Sequence, residues 1–376
     1  MRGNKGEWSE PYAALRIIGQ QKIHVADRQG QANNNEWMSV IELMRNETRE
    51  RIVNYRLSED TTKVTISIND DPVKEMNVSQ FMSLSKQLMQ EILSSSGSSF
   101  AVSDALEHSL EQVEIHSIKA KSASKSDVLL SVRDPRSGIT RNRIGFSIKS
   151  EFGHPPTLFN TASASAPIYR LDGMNPTLAE EINEMFDENE KIPVRRRCQK
   201  IIDQGVKMRF VGFPETNRGG VRISPFSENL EMLNPYLGKT IAALLLQWVL
   251  GNIKETGIPA VLQWLKENNP LHLTRPEAKY GYMLRSFLYA SYCGLTASTL
   301  WDGRSEVNGG FIRVSKSGEV LAFYALESDN FKDYLFSNCF LERPSTNERH
   351  GNYGYVYKEG DNWFFRLNFQ IRYRVG

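Results

Sequence analysis

The chain has 376 residues, of which 40% are hydrophobic and 24% are charged, and its formal net charge at pH 7 is +2. This length exceeds the size at which one hydrophobic core stops growing, so we expect two domains or one domain with a large appendage. The near-balanced charge does not indicate a strongly basic nucleic-acid-binding protein, so any DNA-binding surface must be local. No segment resembles a signal peptide or a spanning helix, which predicts a cytoplasmic protein without a membrane role.

The first third of the chain alternates between helical and strand patterns. Trp8, Tyr12, Leu15 and Ile18 recur at helical spacing, which predicts a helix over Gly6–Ile18. The following patterns predict, in order, a polar loop at Gly30–Glu36, a strand at Lys63–Ile68, and helices at Val78–Ser94 and Val102–Glu114.

Two β-like runs then flank a turn-rich stretch. The runs are Val128–Val132 and Ile144–Ser150, and the stretch Asp134–Gly138 between them carries Pro and Gly. This pattern predicts a β-hairpin with its turn near Gly138. The polar segment Glu151–Ala166 after it is interpreted as a long loop of the kind that carries function.

The rest of the chain changes from helical to strand patterns near residue 300. We therefore predict a core with the first helix and the hairpin at 1–175, a mainly helical region at 176–300 and a β-rich segment at 301–376. The basic cluster Arg195–Arg197 lies in a predicted helix and is interpreted as a solvated helix face. Cys198, Cys293 and Cys339 have neither disulfide nor zinc-ligand spacing, so we expect ordinary core or surface thiols.

The hairpin brings together residue types that phosphodiester hydrolysis needs. Asp127 begins its first strand and Lys149 lies on the second, so the pairing places Asp127 opposite Lys149 or its neighbours. Ser147, Lys149 and Glu151 share a strand face because side chains alternate with a period of two. A metal ion held by Asp127 and the Ile148 carbonyl would leave Lys149 to hold the attacking water.

A further carboxylate, Glu10, projects from the first predicted helix and is a candidate metal ligand, directly or through water. Each of these residues also has an ordinary structural interpretation. An aspartate and a lysine facing each other across a hairpin commonly form an exposed ion pair, and Glu10 suits the positive end of a helix dipole.

Motifs along the whole chain resemble those of one enzyme family. The opening Asn4–Glu10, with Gly6 four residues before Glu10, resembles the first-helix motif of the HpaII-type restriction endonucleases. Further matches follow in the same order as in that family: Gly145–Ser150 with Pro156–Leu158 and Asn160, Trp301–Gly303 with Gly309–Ile312, Asp333–Phe336, Pro344–Thr346 with Arg349–Gly351, and Leu367–Arg372. The resemblance extends from Asn4 to Arg372.

This resemblance implies a mixed α/β fold with a PD-(D/E)xK restriction-endonuclease-like core, to which helical and C-terminal β-rich DNA-recognition parts are added. It implies Asp127 as the first acid of the motif, Lys149 as its lysine, Glu10 as the helix carboxylate, and Mg²⁺ as cofactor. The chain has Ser147 where the superfamily motif usually has Asp or Glu. Glu151 is the nearest replacement ligand, and Asp134 is a weaker one because it has a turn-forming role.

The implied activity is that of a type II restriction endonuclease, which hydrolyses double-stranded DNA at CCGG or a related short site. Such an enzyme works beside a cognate DNA methyltransferase, and both a homodimer and a monomer fit the sequence. The expected DNA-binding residues lie in two polar segments and comprise Thr157, Asn160, Arg343, Asn347, Arg349 and His350. The rival interpretations are a structure-selective nuclease and a catalytically inactive DNA-binding protein of the same fold.

Overall fold

The computed structural model describes residues 1–48, 50–119, 126–152, 157–185, 193–304, 309–324, 328–343 and 353–373, and gives only the backbone of residues 34, 35 and 218. Helices and strands alternate along these residues, which confirms the mixed α/β class. They form two compact units. The first contains the described residues of 1–152 and 309–334, and the second those of 157–304 and 335–373. The three successive segments predicted from the sequence stay a prediction.

The first unit contains most of the strands. They are β1 (Arg2–Gly3), β2 (Lys22–Ala26), β3 (Ala32–Asn46), β4 (Ile52–Leu57), β5 (Lys63–Ile68), β6 (Asp71–Asn77), β7 (Phe100–Ala101), β8 (Val128–Arg133), β9 (Thr140–Ser150), β15 (Gly310–Val314) and β16 (Val320–Tyr324). Its helices are α1 (Lys5–Gln20), α2 (Val78–Ser94), α3 (Asp104–Gln112) and the start of α10 (Ser328–Asn338).

Six of these strands close into a ring. Its order is β2, β16, β15, β9, β8, β3 and back to β2, and β4, β5 and β6 extend the sheet outward from β3. The pairs β2–β16 and β9–β15 are parallel, and the other pairs are antiparallel. Since a closed sheet has no edge at β9, this strand is held by hydrogen bonds on both sides.

Helix α1 packs against five strands of the ring, namely β2, β3, β9, β15 and β16. It begins with a capping box, in which Asn4 accepts from the Glu7 amide and Glu7 accepts from the Asn4 amide. Trp8 and Leu15 are fully buried, and the Tyr12 hydroxyl donates to the Gly318 carbonyl at 2.6 Å. The predicted helix is confirmed, and it forms the centre of the first unit's core rather than a surface layer.

Two loop predictions are wrong. The segment Gly30–Glu36 was expected to be a loop, yet β3 begins at Ala32 and Ala26 of β2 pairs with Ala32. The segment Glu151–Ala166 contains the strand β10 (Thr157–Phe159) and a short 3₁₀ helix (Ser163–Ser165). Both predictions relied on the polar composition of the segment. The strands form nevertheless, because their backbones pair with strands that are distant in the sequence.

The second unit combines three small sheets with six helices among its described residues. Besides β10, its strands are β11 (Ile168–Asp172), β12 (Lys207–Gly212), β13 (Thr216–Arg218), β14 (Val221–Ile223), β17 (Cys339–Glu342), β18 (Val356–Glu359), β19 (Asn362–Arg366) and β20 (Gln370–Tyr373). Its helices are α4 (Pro176–Glu184), α5 (Val194–Asp203), α6 (Pro225–Leu233), α7 (Leu237–Leu250), α8 (Ile258–Asn268) and α9 (Pro276–Tyr292). The sheet orders are β12–β11–β19–β18, β10–β20–β17 and β13–β14.

The interpretation of the basic cluster on α5 as a solvated helix face is confirmed for Arg195 and Arg196, which are exposed, and is wrong for Arg197. Arg197 is only 2% exposed, and its guanidinium donates to the carbonyls of Gly354, Asn183 and Met185 at 2.6 to 3.1 Å. Burial lowers its pKa. The three cysteines are buried free thiols, as expected. Among the described helices, none is both long enough and apolar enough to cross a membrane.

Candidate functional site

The hairpin predicted from the sequence is formed by β8 and β9. Its tight end is built by Asp134, whose carboxylate accepts from the Arg136 amide at 2.8 Å, and by Gly138, whose φ is +70°. Pairing runs from Arg133 opposite Thr140 to Val128 opposite Phe146, with a bulge near Ser131. The turn is centred between Arg136 and Ser137, earlier than Gly138, so Asp127 comes beside Phe146–Ile148 rather than directly opposite Lys149.

Asp127 lies at the open end of this hairpin and is held by three hydrogen bonds. Its amide donates to the Phe146 carbonyl at 2.9 Å. Its carboxylate oxygen Oδ2 accepts from the Ser147 hydroxyl at 3.0 Å and from the Ile148 amide at 2.5 Å. The other oxygen, Oδ1, accepts no hydrogen bond from the described residues. The carboxylate is therefore fixed in direction while one oxygen remains for a ligand.

Ser147 lies where the sequence resemblance led us to expect an acid. It is buried, and its hydroxyl donates to Asp127. A serine hydroxyl in this place adds no negative charge beside Asp127, whereas an acid would. Ser147 therefore holds the Asp127 carboxylate through a neutral hydrogen-bond donor.

Lys149 follows two residues later on β9. Its strand neighbour on the other side is β15, where Arg313 is its register partner. Phe146 and Ile148, which point to the opposite strand face, belong to the hydrophobic core and fix the strand. The structure thus places four of the predicted site residues at the open end of the hairpin: Asp127, Ser147, Ile148 and Lys149.

Glu151 is engaged by a residue that the sequence did not reveal. Its Oε1 lies 3.3 Å from Arg313 Nε, and its Oε2 accepts from the Lys316 amide at 3.4 Å. Arg313 also donates to the Gly30 carbonyl at 2.5 Å, and both side chains of the pair are less than a fifth exposed. The pairing of Glu151 with Arg313 requires the parallel strands β9 and β15, which no local pattern indicates.

Glu10 lies on α1, directly after Ser9. The Ser9 hydroxyl connects the helix to β9 by donating to Ser150 Oγ at 2.6 Å. Lys119, missed by the sequence analysis, lies 2.8 Å from Glu7 Oε1. Its pKa is raised chiefly by that hydrogen bond, and also by the charges of Glu7, Glu10 and Asp127. Glu7, Glu10 and Asp127 are therefore all close enough to act on one ammonium group.

The oxygen donors at the hairpin suit a small hard cation. Within the described residues, no group of three or more His, Cys, Asp or Glu side chains is placed to hold a metal ion. Mg²⁺ does not need such a group, since it usually binds through one or two carboxylates and keeps several waters. The Asp127 carboxylate and the Ile148 carbonyl fit this requirement; the roles of Glu10 and Glu151 as ligands stay predictions.

The expected DNA-binding residues lie partly within the described structure. In the second unit, Phe159 of β10 and Leu341 of β17 are both register partners of Ile371 in β20. Asn160 directly follows β10, and Arg343 directly follows β17. Both strands are antiparallel to β20, so the two residues lie at the same end of the three-stranded sheet, and both are exposed. Thr157 begins β10 and is half-buried. Asn347, Arg349 and His350 lie outside the described residues.

Comparison with known proteins gives a match along nearly the whole chain. The family model for the HpaII restriction endonuclease matches residues 4–373. A curated relative, the type II restriction enzyme HpaII from Haemophilus parainfluenzae, is 28% identical over 374 residues, which cover 99% of this chain and 98% of that protein. No solved structure matches the chain.

Proposed function

The chain belongs to the HpaII restriction endonuclease family, and we propose that it hydrolyses both strands of duplex DNA at a short specific site, CCGG or a related sequence, with Mg²⁺ as cofactor. As a type II restriction enzyme it is a site-specific deoxyribonuclease. One observation supports the proposed mechanism most directly. The Asp127 carboxylate is fixed by two hydrogen bonds, from the Ser147 hydroxyl and the Ile148 amide, and these two residues directly precede Lys149 on β9.

In this mechanism Asp127 and the Ile148 carbonyl hold the cation, and Glu10 completes the site directly or through water. A bound Mg²⁺ supplies charge neutralisation at the scissile phosphate and lowers the pKa of a bound water. Lys149 donates from Nζ to the attacking water oxygen and orients it. Ser147 and the Ile148 amide keep the Asp127 carboxylate from rotating, so the ligand oxygen is already in place when DNA binds.

Glu151 is the candidate fourth ligand of the cation, but its carboxylate already forms an ion pair with Arg313. To bind the cation, Glu151 Oε1 would have to exchange its contact with Arg313 for the metal. Glu151 Oε2 would keep its hydrogen bond from the Lys316 amide. The proposed core fold is the PD-(D/E)xK restriction-endonuclease fold, supported by the hairpin with an acid on one strand and a lysine on the next.

The substrate partner is double-stranded DNA, which a restriction enzyme requires. A cognate DNA methyltransferase in the same system and a homodimeric state are part of the proposal. Among the residues that the structure describes, the exposed Asn160 and Arg343, at one end of the β10–β20–β17 sheet, are candidates for DNA contacts. Thr157, Asn347, Arg349 and His350 remain candidates from the sequence alone.

The experiment that tests the proposed activity is cleavage of unmethylated plasmid DNA by the purified protein with Mg²⁺. The controls are a reaction without metal and the Lys149→Ala variant, and the ends of the products are sequenced. We expect discrete fragments only from the native protein with metal, with ends that define one short site. If the native protein binds duplex DNA but never cuts it, the catalytic proposal fails and the inactive DNA-binding interpretation replaces it.

A further inference from the structure

The second unit carries a narrow β-ribbon that takes no part in the site described above. It consists of β13 and β14, joined by Gly219 and Gly220. The two strands pair only with each other among the described residues. Both glycines have positive φ, 59° and 86°, as a two-residue type I′ turn requires.

The base of the ribbon is firmly held. The Phe213 ring, just before β13, is 4% exposed and packs edge-on against Phe226 with ring centroids 4.8 Å apart. Ser224, just after β14, is buried and caps helix α6 by accepting from the Ser227 amide at 3.3 Å. The direction in which the ribbon leaves the second unit is therefore fixed by a buried aromatic contact and a helix cap.

The turn at the tip, in contrast, is surrounded by open space as far as the described residues show. A side chain added at either turn glycine would meet no described atom within 4 Å. Thr216, Asn217 and Arg222 are exposed, and the apolar side chain of Val221 is 61% exposed. An isolated two-stranded ribbon is only marginally stable in water, so the fold maintains here an element that buries almost none of its own surface. Such an element is expected to be covered by a partner.

The side chains of the ribbon have the chemistry of DNA base recognition. Asn217 and Arg222 are directly opposite each other, so both lie on one face. Arg222 is 78% exposed, and its Nε forms an ion pair with Glu215 Oε2 at 3.0 Å. The Asn217 oxygen accepts from the Gly220 amide at 3.0 Å, which leaves its amide nitrogen as a donor.

The dimensions and charge of the ribbon point to the same partner. Two paired strands lie about 4.8 Å apart, and a two-stranded ribbon fits the major groove of B-DNA, which is about 12 Å wide. The segment 213–224 contains two arginines and one glutamate, so its net charge is positive. The major groove presents acceptors at guanine N7 and O6, which are the preferred partners of arginine.

We propose that the β13–β14 ribbon enters the major groove of the duplex substrate, with Arg222 contacting a guanine edge, Asn217 donating to an adjacent base, and Glu215 positioning Arg222. This assignment rests on the proposed function, because it takes duplex DNA as the ligand. It adds a recognition element that is separate from the hairpin chemistry.

Contact between the ribbon and DNA is tested by thiol protection. The native cysteines are buried, so Val221→Cys introduces a thiol that a water-soluble alkylating reagent can reach. Tyr282→Cys is the matched control, since Tyr282 is 62% exposed on α9 of the same unit. Labelling is followed with and without a plasmid fragment that contains CCGG, without Mg²⁺, and binding is monitored by gel shift.

We expect bound DNA to slow labelling of the Val221→Cys thiol at least tenfold and to leave the Tyr282→Cys thiol unchanged. Equal labelling at position 221 with and without bound DNA would overturn the ribbon assignment even if the native protein cleaves plasmid. Protection at position 221 in a protein that does not cleave would leave the ribbon assignment standing and contradict the catalytic proposal. If the protein binds no DNA, both proposals fail.

Base reading is tested with Arg222→Ala, Arg222→Lys and the control Arg304→Ala, whose arginine is 88% exposed in the same unit. The affinity for a duplex with the cleavage site is compared with that for a scrambled duplex, and guanine is replaced by 7-deazaguanine, which lacks the N7 acceptor. We expect both Arg222 variants to lose roughly 10- to 100-fold of the preference, as one bidentate contact implies. The 7-deazaguanine duplex should weaken native binding but not that of Arg222→Ala. If Arg222→Ala keeps the native preference, Arg222 does not read bases.

Discussion

At the scale of single residues, the site is defined by what Asp127 contacts. Its Oδ2 accepts two hydrogen bonds, and only one of the donors, Ser147, can be removed by a side-chain substitution. Hydrogen bonds to a charged group contribute about 1.5–3 kcal/mol each. The serine in the motif is therefore a defined structural contact that can be tested separately from Lys149.

Ser147→Ala is expected to lower cleavage activity about 10-fold and to raise the Mg²⁺ concentration needed for half-maximal activity, because Asp127 gains freedom to rotate. Steady-state cleavage over a range of Mg²⁺ concentrations measures both effects. The matched control is Ser131→Ala on the same hairpin, since the Ser131 hydroxyl donates to Glu42 at 3.0 Å. An unchanged Mg²⁺ dependence in Ser147→Ala would contradict the positioning role.

The pair of Glu151 and Arg313 is expected to be strongly coupled. Removing one partner leaves the other as a charge in a largely buried place, which costs more than removing both. We expect Glu151→Gln and Arg313→Met each to lower the free energy of unfolding, and the double variant to be more stable than the sum predicts by about 1–2 kcal/mol. Urea denaturation of the four proteins measures this coupling, and strict additivity would show that the pair does not interact.

A pH dependence follows from Glu7. The Lys119 side chain and the Asn4 amide, in that order of effect, lower the pKa of Glu7 below its ordinary value. A carboxylate with a depressed folded-state pKa stabilises the fold above its unfolded pKa, and this contribution is lost as the pH falls through the folded pKa. Glu7→Gln should therefore be less stable than the native protein at pH 7, and the difference should shrink below about pH 4. Urea denaturation at pH 7 and pH 3.5 checks this, and a difference that is constant with pH would refute it.

At the scale of elements, local patterns predicted what depends on local chemistry. The strand Lys63–Ile68 and the helix Val78–Ser94 have the bounds that their periodicity predicted. The hairpin was also predicted, because its turn residues and flanking strands are adjacent in sequence. Asp127, Ser147 and Lys149 were accessible from the sequence for the same reason, together with the family resemblance.

Contacts between distant segments were not accessible in this way. Arg313 comes beside Lys149 only through a parallel pairing of strands about 160 residues apart. Lys119 reaches Glu7 through the fold of a whole unit. The exposed ribbon at 216–223 was missed because each of its strands has only three residues and the first strand contains no apolar residue.

The contact between β9 and the start of β15 explains one of the glycines of the family motif. The Gly309 amide donates to the Gly145 carbonyl at 2.8 Å, and an added Cβ would lie 2.8 Å from that oxygen and 2.7 Å from the Phe146 ring. Gly309→Ala should displace β9 beside the site and lower both thermal stability and cleavage rate. Gly138→Ala is the control, because it strains only the distant turn by about 1 kcal/mol and should leave the rate of the folded protein unchanged. Equal effects of the two variants on cleavage rate would contradict the role of close packing at Gly309.

At the scale of the whole molecule, the proposed catalytic residues and the proposed recognition residues have different structural settings. The hairpin of β8 and β9 belongs to a closed ring of strands around a central helix, and β9 is paired on both sides. The ribbon and the sheet end that carries Asn160 and Arg343 are exposed parts of the second unit. The proposed placement of catalytic residues on a rigid ring and of base-reading residues on exposed elements fits the separate demands of fixed geometry and adaptable recognition.

The closed ring has a consequence for biosynthesis. Strand β9 leaves the ribosome early, but its partner β15 and the closing strand β16 are encoded more than 150 residues later, up to Tyr324. A nascent or prematurely terminated chain therefore holds Asp127 and Lys149 on an open-edged sheet, without the support that orders the site. An enzyme that cuts DNA endangers the cell that makes it, and we expect cutting competence to arise only after Tyr324 has been synthesised. We expect a chain that stops at residue 309 to be inactive in the plasmid assay, and activity in that fragment would refute this dependence.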